Sequence, residues 1–370
     1  MDVADFLFPR DLEVTPTNLT RIIFIGSCLS EAYVKYFRAL NAAIHYDHVL
    51  FNNAMDLPTR STQELAAYDL QYIQLPLRSI LPDTVVRIAD NDKRDPPIVW
   101  LELGKQNIDR MLDKAMAYNR QSELLTIVST FFVPQAHVIP SLADVRSQND
   151  LCLVIHHLNN YLAEKVRNFR NSFLADVDMI ASSLGKRYFL DDVIGFYTHG
   201  AVHYPDWGEG NRLEKVPPFV ETYENRVDQF WAAALRQIEF IYRIVNQLDQ
   251  VKVVIFDLDN TLWRGQLVED YQPGTKWPHF HGWPLGIWEA VQHLRWRGIV
   301  TAIASKNDHD VVVAKWNDAV SQPFVALEDF IVPQINWQPK PEGVEKYWGR
   351  CHLLPRALYS STTILLNAKP

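Results

Sequence analysis

Short apolar runs recur through the first half of the chain, at residues 22–25, 49–51, 71–75, 99–103 and 125–132, and each predicts a buried strand. Between and after them, apolar residues return at spacings of three and four over residues 31–40, 108–118 and 151–169, which predicts helices. Strands alternating with helices predict a parallel sheet with helices on both faces.

Residues 204–219 break this rhythm: Pro205, Gly208, Gly210, Pro217 and Pro218 with interspersed charges suit neither period and mark a connection. After it, Val227, Phe230, Trp231, Ala234, Leu235, Ile238, Ile241, Val245 and Leu248 form one helical apolar stripe, a core or interdomain helix. A continuous apolar run at 251–256 then opens a second alternating stretch, with helices near 285–296 and 311–319 and strands at 299–304 and 363–366. The resulting division is a domain over residues 1–210, a linker and interdomain helix over 211–250, and a second domain over 251–370.

The 370 residues suit two domains, and 48% hydrophobic with 22% charged residues is the composition of an ordinary globular chain. A formal net charge of -8 without a Lys/Arg cluster speaks against nucleic acid as a partner. Cys28, Cys152 and Cys351 are too scattered for a disulfide framework or a zinc site. Acidic residues precede any apolar run at the N-terminus, and no stretch reaches about 18 uninterrupted apolar residues. The expectation is therefore a cytoplasmic protein, neither secreted nor membrane-inserted.

The candidate chemistry lies where the run at 251–256 ends. Asp257 and Asp259 follow it two residues apart, so their side chains leave the strand on one face. Ligands of open parallel sheets bind beyond the carboxyl ends of strands, and Mg²⁺ takes one or two carboxylates with water and phosphate oxygens. Taken alone, the pair equally fits a plain turn beside Asn260 and Thr261. Two later phrases add weight: Ser305-Lys306-Asn307-Asp308 at the end of the next strand, and Asn336-Trp337-Gln338-Pro339-Lys340 ahead of a further segment.

In this order the phrases resemble the haloacid dehalogenase superfamily, and the wording of 257–263, 305–308 and 336–340 resembles its FkbH-like branch. The resemblance covers residues 251–370. It implies Asp257 as nucleophile toward a phosphoryl or activated acyl group and Asp259 as the acid and then the base. It further implies Ser305 and Asn307 at the phosphate, Lys340 offsetting charge, and Mg²⁺ held by Asp257, Asp259 and the oxygen of Asn367. Implied partners are a phosphorylated small molecule such as bisphosphoglycerate and an acyl carrier protein, in the biosynthesis of polyketide-like metabolites.

The chain departs from that pattern in two places. Asn367 and Ala368 stand where the family has an acidic pair, which predicts weakened Mg²⁺ binding, reduced activity and a C-terminal end that is truncated or degenerate. Ala304 stands where many members carry Cys, so no thioester forms there. Short spacings between the phrases predict an open site without a large cap. A non-catalytic binding or assembly module on a degenerate scaffold is the competing expectation.

In the first half, Ile25-Gly26-Ser27-Cys28-Leu29-Ser30 resembles the first block of SGNH hydrolases, with Ser27 at the Asp position and Cys28 at the nucleophile. Cys28 is a candidate acyl nucleophile, weighed against a small buried residue in a tight turn. No His follows an Asp at the spacing those hydrolases use, which disfavours esterase activity. His199 and His203 have ligand-like spacing only if helical, and Gly200 weakens that helix. The fold expected is two three-layer α/β/α domains: an SGNH-like, flavodoxin-like domain, then a capless Rossmannoid domain of haloacid-dehalogenase type.

Overall fold

In the computed structural model the described residues are 17–28, 30–53, 55–82, 85, 99–135, 150–190, 224, 226–248, 252–270, 283–320 and 324–339. They divide into two units, residues 1–245 and 246–370.

The first unit is built on β1 (Arg21–Gly26), β2 (His45–Leu50), β3 (Leu70–Gln74), β4 (Thr126–Ser129) and β5 (Ser172–Ala175). All neighbours pair in parallel, in the order β2-β1-β3-β4-β5. Chain order reverses between β1 and β3, the place where doubly wound sheets open a crevice beyond their carboxyl ends.

Helices α1 (Ser30–Leu40), α2 (Thr62–Leu65), α3 (Leu77–Ile80), α4 (Trp100–Ala115), α5 (Ala117–Ser122), α6 (Leu151–Val166), α7 (Val177–Leu184) and α8 (Val227–Val245) surround it. Burial on both sides explains why β1 reads as a continuous apolar run rather than an alternating one. Ile23, Ile25, Ile73 and Val128 pack with Trp100, Ile108 and Leu158 of α4 and α6. On the other side Phe24 meets Phe37 at 5.8 Å between ring centroids, while Trp231 of α8 meets Tyr33 edge-on at 4.5 Å and stacks on Tyr36 at 4.9 Å.

Residues 99–103, read as a strand, begin helix α4 instead. The apolar run Val99-Trp100-Leu101 is local, whereas the buried positions Trp100, Gly104, Ile108, Met111, Leu112 and Ala115 continue at helical spacing. β5 and α7 carry too few consecutive apolar residues to stand out in the sequence. The stripe at 227–248 is helix α8 over Val227–Val245, and it packs against α1 and α7 of the first unit.

The second unit contains β6 (Val253–Phe256), α9 (Leu267–Asp270), α10 (Trp283–Trp296), β7 (Val300–Ser305), α11 (His309–Ala319) and β8 (Ile331–Ile335). Its described strands are parallel in the order β6-β7-β8. Val254, Phe256 and Ile303 meet Trp263, Trp288, Val312 and Trp316 on one face. Ile255, Ala302 and Ala304 cluster separately. β8 escaped the apolar pattern because Pro333 interrupts it; in the structure Val332 has a φ of 41°, and the register against β7 shifts between Ala302 and Ala304. The strand expected at 363–366 lies outside the described residues. Among the described residues, no helix is long and apolar enough to cross a membrane.

Gly26 closes β1 so tightly that an added Cβ would lie 2.9 Å from the Gln74 carbonyl oxygen and 2.9 Å from Ser30 Oγ. The carbonyl belongs to a central strand and cannot swing aside. Gly26→Ala is expected to destabilise the protein by about 1–3 kcal/mol, measured by denaturant unfolding. An unchanged midpoint would contradict this packing.

Candidate active site

Parallel pairing brings the carboxyl ends of β6 and β7 to one edge of the sheet, with Phe256 opposite Ile303. Asp257 follows β6 directly, Ser305 ends β7, and Asn307 lies two residues beyond it. Ser305 is buried, and its carbonyl accepts from the Asn336 N–H at 3.1 Å, which ties the end of β8 to the same edge. Lys340 and Asn367, together with Ala368, His199 and His203, lie outside the described residues.

The loop after β6 folds back on itself. Asn260 sits in the left-handed region at φ 57°, and its Oδ1 accepts from the Gly265 N–H at 3.0 Å. Gly265 has a φ of 87°, which a Cβ-bearing residue adopts at a cost. This reversal places Trp263 beside Asp259, joined by an isolated bridge.

Asp259 is the most constrained group of the loop. Its Oδ1 accepts from the Trp263 indole N–H at 2.7 Å and from the Leu267 backbone N–H at 3.0 Å. Its Oδ2 accepts from Asn307 Nδ2 at 2.8 Å. The Asn307 amide is committed at both ends, since its Oδ1 accepts from the Asp308 N–H at 3.0 Å. Asp257 Oδ1 accepts from the Leu258 N–H at 2.9 Å.

Burial raises the pKa of Asp259 above the ordinary aspartate range, hydrogen bonds from Leu267 and Trp263 pull it back, and the charges of Asp257 and Glu269 raise it further. Two neighbouring carboxylates that repel each other offer the hard oxygen donors Mg²⁺ takes. Among the described residues, Oδ1 of Asp259 takes two N–H donors and Oδ2 one, which leaves a lone-pair direction on Oδ2. Among the described residues, no group of three His, Cys, Asp or Glu side chains is gathered for a metal ion.

In the first unit, Cys28 is exposed on the turn between β1 and α1 rather than buried. Ser27 is buried, with its hydroxyl 3.4 Å from Gln74 Oε1. Ser30 Oγ donates to the Ser27 carbonyl at 2.7 Å and lies 2.5 Å from His48 Nε2. Ser30 is fully buried, so this hydroxyl braces the turn.

Sequence reasoning gave no role to Trp263. Its signal was present, a Trp four residues after the second Asp, but the contact depends on the loop reversal at Asn260 and Gly265.

No family model matches the chain, and no curated protein matches it. A solved structure does: the N-terminal part of the protein BF1531 from Bacteroides fragilis, containing a phosphatase domain complexed with Mg. It aligns with a TM-score of 0.56 at 17% identity, over 91% of this chain and 82% of that chain. The two chains share a fold, a parallel-sheet α/β architecture. An extracellular lipase from Streptomyces rimosus aligns with a TM-score of 0.30 at 10% identity, over 44% of this chain and 82% of that chain, too low to carry an argument.

Because the folded-state pKa of Asp259 is raised, its contribution to stability is present below the unfolded pKa and lost as pH rises through the folded one. Carboxyl-carbon NMR with a chelator present is expected to find Asp259 titrating above an ordinary aspartate, and Glu269→Gln to lower that value. Titration at or below the ordinary range would contradict the buried, doubly acidic setting.

Proposed function

We propose that the second unit is a Mg²⁺-dependent phosphatase or phosphotransferase of haloacid-dehalogenase type. The observation that carries this reading is the pairing of Asp257 at a strand end with Asp259, whose half-buried carboxylate is oriented by three N–H donors and raised in pKa. The shared fold with a phosphatase-containing protein complexed with Mg supports it.

In this reading a carboxylate oxygen of Asp257 attacks phosphorus while the bond to the leaving oxygen breaks. Asp259 delivers a proton to that oxygen from Oδ2. It then takes a proton from the water that attacks the aspartyl-phosphate, releasing inorganic phosphate and restoring Asp257. Ser305, at the end of β7, supports the transferring oxygens, and Lys340 offsets their charge. Asp257 and Asp259 would hold the cation, with Asn367 as the further oxygen donor implied by the sequence. Bound Mg²⁺ supplies neutralisation of phosphoryl negative charge.

A finer reading, glyceryl or acyl transfer from a phosphorylated donor such as bisphosphoglycerate to a carrier-protein thiol, rests on the FkbH-like wording of 257–263 and 305–308. Exposure of Cys28 at its turn suits an acyl-accepting thiol in the first unit. The competing reading is a binding module without turnover.

Phosphate release from p-nitrophenyl phosphate is expected to require Mg²⁺ and to fall at least about 1000-fold in Asp257→Asn. Turnover that survives this variant would overturn the nucleophile assignment, and no Mg²⁺-dependent release from the unaltered protein would favour the binding module. Replacing Asn367 and Ala368 together by Asp is expected to tighten Mg²⁺ binding in calorimetric titration. No gain would remove position 367 from the metal.

A further inference from the structure

We infer that Trp263 and Asn307 are positioning residues, jointly fixing the carboxylate of Asp259 from a common base on helix α11. The inference rests on the assignment of Asp259 as the proton-transferring group and goes beyond it by naming what aims that group. Trp263 donates its indole N–H to Oδ1 and Asn307 donates its amide N–H to Oδ2, so the two oxygens are distinguished and the carboxylate plane is set. A carboxylate held by one donor can rotate about its last bond; one held at both oxygens by rigid donors cannot.

Both donors trace back to α11. Asn307 Oδ1 accepts from the Asp308 N–H at 3.0 Å, which fixes the amide with its Nδ2 toward Asp259. Asp308 is the N-cap of α11, accepting from the Val311 N–H at 3.0 Å. The buried Trp263 ring meets Trp316 of α11 edge-on, with centroids 5.9 Å apart. Trp316 is anchored in turn by its indole N–H, which donates to the Val325 carbonyl at 3.2 Å. The third donor, the Leu267 N–H, begins helix α9, which packs on α11.

Asn307 spends one Nδ2 N–H on Asp259 and accepts at Oδ1 from its own loop, so rotating the amide would break both bonds. Its place beside Ser305 puts that donor within reach of Asp259. A group that transfers a proton must lie within hydrogen-bond reach of the leaving oxygen and keep its orientation, and small misplacements cost rate steeply.

Trp263→Phe keeps a buried ring and removes only the N–H, and Asn307→Ala removes the other donor. Each is expected to lower kcat for p-nitrophenyl phosphate with Mg²⁺ about 10-fold or more, with KM within about twofold. In an Asp259→Ala background the same substitutions are expected to leave the residual kcat unchanged, because they act through Asp259. A purely structural role would cost the same in both backgrounds, and that result would overturn the inference. Asn307→Ala keeps the test open if Trp263→Phe fails to fold.

A readout independent of turnover is the indole N–H resonance of Trp263, assigned by its loss in Trp263→Phe. It is expected to shift in Asp259→Ala, and an unmoved resonance would overturn the hydrogen bond. An unaltered protein that releases no phosphate overturns the phosphatase reading instead, and the inference then stands or falls on this resonance.

Discussion

The half-buried carboxylate of Asp259 imposes the constraint around which the second unit is organised. Taking a negative charge partly out of water, two residues from another carboxylate, is unfavourable unless donors are supplied. They come from three separate places: the loop indole of Trp263, the first N–H of α9 at Leu267, and the Asn307 amide beyond β7. Each of those elements must be in register for the charge to be met, so the strand order, the loop reversal and the packing of α11 are coupled to one side chain. The residual rise in its pKa says that the donors offset burial only in part.

The first unit solves a simpler problem. The central strands of its five-stranded parallel sheet are buried on both faces, and one group of its polar side chains gathers at the strand-to-helix turn after β1. There the tight approach of Gly26 to Gln74, the Ser27 and Ser30 hydrogen bonds and His48 form a brace, and Cys28 is left facing solvent. That turn opens beside the reversal between β1 and β3, where doubly wound sheets accept ligands.

Much of this was legible in the sequence where the signal is local. The continuous apolar runs before Asp257 and Ser305 mark buried parallel strands, and the residues that follow such strands share one edge. Signals that depend on tertiary context were not legible. Residues 99–103 open with an apolar run like that of a buried strand, yet the buried face of α4 extends over sixteen residues and decides the matter. β8 is short, and Pro333 and Gln334 interrupt its β-branched residues, so its pairing with β7 rather than its pattern makes it a strand. The phrase from Asp257 to Trp263 singled out both carboxylates but not the link between its second Asp and its last Trp, which needs the turn at Asn260 and Gly265.

The central claim is that Asp257 forms a covalent bond to phosphorus. Acid quench during turnover of p-nitrophenyl phosphate with Mg²⁺, followed by borohydride reduction and peptide mass spectrometry, reads this directly, because reducing an aspartyl-phosphate leaves homoserine. The account predicts homoserine at position 257 in the unaltered protein. Phosphate release with Asp257 unmodified, or modification at another residue, would contradict it.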